Sequence, residues 1–76
     1  MVHYLPVEEH HSSPELGEYQ SFGLRVVESA QQQDDREVMY LADISTDFLF
    51  VLHLAQLLTR HQLRPIHLLD VIEDLL

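Results

Sequence analysis

Cysteine and lysine are both absent from this 76-residue chain. Without cysteine, disulfides and thiolate metal sites are excluded. A secreted domain this small normally carries such cross-links, so a reducing, cytoplasmic location is expected. No run of about 20 apolar residues is present to span a membrane. The opening Met1-Val2-His3-Tyr4 has neither the basic region nor the apolar core of a signal peptide. Glycine occurs only twice, too rarely to build a phosphate-cradling loop or a dinucleotide fingerprint. Positive charge is equally scarce, with four arginines against thirteen acids and a net of −9. That balance opposes direct nucleic-acid binding, which rests on basic side chains releasing counterions, and it opposes an anionic membrane surface. None of Ser12, Ser13, Ser21, Ser29 or Ser45 lies in a Gly-x-Ser-x-Gly turn. The expectation is therefore a protein that is not an enzyme, with no catalytic residues and no cofactor.

What remains reads as one α+β domain over 1–76, strands first and helices last. Val2–Glu9 is rich in strand formers, but Pro6 cannot donate to a ladder, so residues 1–17 are expected to hold an edge strand or extended arm and then a loop. His10 to Glu15 is the loop, with serine and proline as breakers. From Glu18 to Ser29 the pattern has period two: Phe22, Leu24 and Val26 share one face, Tyr19, Ser21, Arg25 and Val27 the other. Gly23 in the middle points to a bulge or a close backbone approach. Ala30–Arg36 is polar and reads as a generous hairpin loop, and Glu37–Ile44 as the next strand, giving an antiparallel hairpin over 18–44. A meander of two or three strands is expected, with two helices packed on one face. Ser45-Thr46-Asp47 supplies an N-cap for a helix over 46–62, and Pro65 suits the first turn of a helix over 65–76.

The first helix is apolar around most of its circumference. Phe48, Val51, Leu52, Ala55 and Leu58 form one stripe, while Leu49, Phe50, Leu54 and Leu57 spread beyond it, although a surface helix needs a stripe of only about 100°. A central helix covered on both sides would absorb them. A thin sheet would not, and the surplus at Phe48, Phe50, Leu54 and Leu57 would then pair with a protein partner, most simply a second copy in a symmetric homodimer.

The acids Asp70, Glu73 and Asp74 hold one side of the second helix and could dock a basic partner or mask a nucleic-acid surface; a solvated charged face is the plainer reading. His67 and Asp70, three apart, with His53 and His61 on the first helix, have the donor types for zinc. Without a His-Glu-x-x-His pattern, His67–Asp70 reads more economically as a surface pair across one turn. His10-His11 reads as a polar turn. A helix–turn–helix reading of the closing helices meets the same acids where a recognition helix needs positive charge.

Asp43-Ile44-Ser45-Thr46-Asp47, followed after one helix by Arg64-Pro65-Ile66-His67-Leu68-Leu69-Asp70-Val71-Ile72-Glu73-Asp74, resembles a family of short uncharacterised bacterial proteins known only as a domain of unknown function. The likeness covers the C-terminal half and, more loosely, the Tyr19–Gly23 strand. It implies a compact domain and brings no catalytic residue or cofactor with it; His67, Asp70, Glu73 and Asp74 gain weight as interaction residues. Arg64 departs from the small capping residue expected before Pro65, which implies a less well capped second helix.

Overall fold

The computed structural model describes residues 1–30 and 33–75. Three antiparallel strands, β1 (Val2–Ser13), β2 (Gly17–Ala30) and β3 (Gln33–Ser45), form one sheet in the order β1-β2-β3. A helix α1 (Phe48–Arg60), a one-turn 3₁₀ segment (Pro65–His67) and a second helix α2 (Leu68–Leu75) follow. The fold is α+β, with the helices packed on the sheet.

The strands are longer than the sequence pattern suggests. β1 pairs with β2 without interruption from Val2↔Glu28 to Ser13↔Gly17, so His10–Ser13 lie in the ladder and not in a loop. Cross-strand partners decide this: His11 stacks on Tyr19 with ring centroids 5.1 Å apart, and side-chain pairing of that kind outweighs the weak breaking tendency of serine. The turn is confined to Pro14–Leu16. There Ser13 Oγ accepts from the N–H groups of Glu15 and Leu16, and Gly17 takes the left-handed conformation at φ 70°. The expected polar loop over Ala30–Arg36 is likewise mostly ladder, since Glu28 pairs with Arg36 and Ala30 with Gln33. Gln31 and Gln32, within that stretch, lie outside the described residues.

Phe22, Leu24 and Val26 bury one face of β2 against Val51, Leu54, Ala55 and Leu58 of α1 and Leu68 and Ile72 of α2, with Tyr4 of β1 closing the cluster. Each buried Val, Leu, Ile or Phe side chain among them contributes roughly 1.5–3 kcal/mol of transfer free energy. Helix α1 begins at Phe48, two residues later than the expected 46, because Asp47 is the N-cap and its Oδ1 accepts from the Phe50 N–H at 3.3 Å. It ends in a Schellman motif: Leu63 N–H reaches Leu58 C=O and Gln62 N–H reaches Thr59 C=O, with Gln62 at φ 49°. The segment from Pro65 starts as 3₁₀ and becomes α-helical only at Leu68. Arg64 makes no side-chain cap, which fits its departure from the expected capping residue.

The end of α1 and the turn after it also close part of the sheet's edge. Gln62 accepts from Val2 N–H and donates to Val2 C=O, both at 2.9 Å. Thr59 Oγ1 accepts from Tyr4 N–H at 2.8 Å and lies 3.4 Å from Tyr4 C=O, while the Tyr4 hydroxyl donates to Leu63 C=O at 2.7 Å. Thus the outer backbone groups of β1, which an edge strand would leave unpaired, are satisfied at Val2 and Tyr4.

The far end is different. β3 stops at Ser45 opposite Phe22, so Gly17–Ser21 of β2 pair with β1 alone. The molecule is 46 Å long, and the 13 residues of α1 span only about 20 Å of that. The β1–β2 hairpin therefore projects beyond the helices as a two-stranded ribbon.

Candidate functional site

The most connected polar cluster lies on the sheet face opposite the helices. Glu9 on β1 is directly across from Ser21 on β2. Its carboxylate does not stop there. It crosses Gly23 and accepts from the Tyr40 hydroxyl and the Asp43 N–H (2.9 Å), both on β3. His11 Nε2 lies 2.9 Å from the same carboxylate, and Ser21 Oγ is 3.5 Å away. Tyr19 stacks under His11 and donates to Asp43 Oδ2 at 3.3 Å.

Local irregularities in the chain make this reach possible. Between Phe22↔Ser45 and Leu24↔Leu41 the register shifts, so that Ala42, Asp43 and Ile44 stand against the single residue Gly23. Asp43 takes φ 53°, a left-handed conformation that aspartate tolerates better than most residues, and its N–H turns out of the ladder toward Glu9. A Cβ at position 23 would sit 2.5 Å from Leu41 C=O and 2.7 Å from Glu9 Oε2. Glycine there is a condition of the crossing.

The electrostatics follow from the geometry. Burial alone would raise the Glu9 carboxyl, but hydrogen bonds from Tyr40, His11 and the Asp43 N–H outweigh it and hold Glu9 below the usual carboxylate range. Tyr40 is pushed up to about 12, first by its hydrogen bond to Glu9, then by burial and by the charges of Glu9 and Glu37. Tyr19 is raised by burial and by Asp43. Both phenols therefore stay protonated further into the alkaline range than an ordinary tyrosine, and the carboxylate is occupied by donors. The cluster's chemistry is that of holding three strands in register.

Sequence reading did not join Glu9 and His11 to Tyr40 and Asp43, because the two pairs lie some thirty residues apart in the chain. Gly23 was the one legible signal, as a mid-strand glycine marking close approach.

The residues expected at an interaction surface are scattered by the fold. Leu54 is buried in the core and presents nothing to a partner, because α1 turns that side toward the sheet. Phe50 is half-buried against the same core. Phe48 is partly exposed beside Phe22, with ring centroids 5.1 Å apart, and Leu57 is exposed. His67, Asp70, Glu73 and Asp74 are all exposed on the 3₁₀ turn and α2, as are His53 and His61 on and just after α1. Among the described residues no three histidines or acids come together in a metal-binding arrangement. No helix there is long and apolar enough to cross a membrane.

The model of a protein family described as "Family of unknown function (DUF6514)" matches residues 1–76, the full length of the sequence. The chain belongs to this family. The match extends over the sheet as well as the C-terminal half on which the resemblance rested. No curated protein and no solved structure matches the chain.

Proposed function

We propose that this member of the family is a non-catalytic protein-interaction module that meets a protein partner through its helical layer. The observation that carries the reading is the apolar side chains left in water there. Leu49 and Leu57 on α1 are 59% and 51% exposed, and Ile66 and Leu69, near the start of the second helical segment, 79% and 53%. Full burial of such a side chain contributes roughly 1.5–3 kcal/mol, and Leu49, Leu57 and Leu69 still have about half of that to gain and Ile66 more. Single exposed leucines are ordinary, but four in one 21-residue stretch on a thin domain are a reservoir for association. Asp70, Glu73 and Asp74 supply a charged rim that disfavours acidic partners.

Co-purification from cell extract with the wild type and with a Leu57→Glu/Leu69→Glu variant tests this. A protein held by the wild type and lost with the folded variant supports apolar docking, and equal recovery by both counts against it. If the acids dominate instead, as in masking a basic or nucleic-acid-binding surface, the complex dissociates steeply with added salt, whereas apolar docking does not.

A further inference from the structure

The hairpin ribbon leaves one stretch of sheet edge uncovered, and its sequence matches itself. Met1 and Ser29 exchange backbone hydrogen bonds at 2.8 and 2.9 Å. Bonding alternates along an antiparallel ladder, so odd-numbered residues of β1 face β2 and even-numbered ones face outward. Val2 and Tyr4 are the outward residues satisfied by Gln62 and Thr59. Pro6 comes next, its missing N–H falling where β2 needs no donor. Beyond it, Glu8, His10 and Ser12 turn their N–H and C=O groups away from the sheet, with no helix over them.

We propose that the chain forms a homodimer by pairing this edge, Pro6–Ser12, with the same edge of a second copy about a two-fold axis at Glu9. The six strands then make one continuous sheet. That axis alone uses the whole free stretch, pairing Pro6 with Ser12 and Glu8 with His10 of the second copy. It forms about six backbone hydrogen bonds. Acid faces imidazole twice across the axis, on the helix side of the sheet. The opposed glutamates at Glu9 do not collide, because each carboxylate is drawn away from the edge, across Gly23 to Tyr40 and Asp43.

The same register brings the hairpin tip of one copy to the end of the other's free edge. There a groove of about 370 Å³ is lined by His3, Tyr4, Leu5, Gln56, Thr59 and Arg60. The tip carries Leu16, 72% exposed, beside Glu15. Leucine fits the groove and Glu15 faces Arg60. β3, the other edge, is broken by register shifts, which interrupt a continuous ladder with a second copy.

This pairing is independent of the helical-layer docking, and sedimentation equilibrium separates the two. The wild type is expected at twice the 8.9 kDa of one chain. His10→Pro leaves the bonds to β2 in place but removes an outward N–H and the imidazole that faces Glu8 of the second copy, and should raise the dimer dissociation constant about a hundredfold. Glu8→Arg or His10→Glu alone should weaken the dimer roughly tenfold, and the two together should restore it. Leu16→Ser should weaken it roughly tenfold, and Leu69→Glu should leave it unchanged. A wild type that stays monomeric into the millimolar range overturns the edge pairing while leaving the helical-layer reading untouched. So does a dimer that ignores every edge variant and dissociates with Leu69→Glu. Should His10→Pro fail to fold by circular dichroism, the charge exchange decides.

Discussion

Glu9 and Tyr40 sit on the two outer strands and meet over the central one, across a glycine that keeps the path open. The contact ties β1 to β3 directly, on the face that no helix covers. With the Asp43 N–H on the same carboxylate, it holds the bulge of β3 in place.

Replacing Gly23 tests that crossing. The added methyl of Gly23→Ala meets a backbone carbonyl, Leu41 C=O, at 2.5 Å, and a carbonyl within a ladder cannot swing aside as a side chain can. A loss of about 1–3 kcal/mol is expected in urea unfolding. A variant as stable as the wild type would mean that β3 shifts freely and the crossing is unimportant.

Tyr40 sets the alkaline limit. Its folded pKa is about 12, above the ordinary 10.0, so its contribution is complete below pH 10 and is lost as pH rises through 12. Glu9 acts at the other end. Its folded pKa lies below 4.5, so its contribution is present above that value and disappears as pH falls through the depressed one. Tyr40→Phe should flatten the fall in stability between pH 10 and 12, and ultraviolet titration of the phenols should lose its latest-ionising group. An unchanged alkaline limb would contradict the assignment.

Thr59→Val keeps the shape of the side chain and deletes the partner of Tyr4 N–H and C=O. Leaving those part-buried groups unsatisfied should cost about 1–3 kcal/mol. In hydrogen exchange the Tyr4 amide should lose protection more than the Leu24 amide. Equal loss at both would indicate global destabilisation and no specific closure of the edge.

Leu68 and Leu69 are neighbours with opposite environments. Leu68 is fully buried and Leu69 largely exposed. Leu68→Ala should destabilise by about 2–5 kcal/mol, whereas Leu69→Ala should stay within about 0.5 kcal/mol. Similar values for the two would mean that α2 is not seated as described.

Local pattern was a sound guide where a residue's role depends on its near neighbours. The alternation of Phe22, Leu24 and Val26, the capping run ending in Asp47 and the proline at 65 announced β2, α1 and the start of the last segment, and composition alone ruled out thiolate and glycine-loop chemistry. Strand length was not legible, because His10–Ser13 and Ala30–Arg36 look like loop until their cross-strand partners are known.

The α+β order, the acidic balance and the buried face of β2 were written in the chain, since period, charge and capping act over a few residues. Which leucines stay wet, and how Glu9 finds Tyr40 and Asp43 more than thirty positions away, arose only when the strands came into register. Leu54 shows why: helical periodicity gives the spacing of an apolar surplus, but only the direction in which α1 lies on the sheet selects the side that is buried.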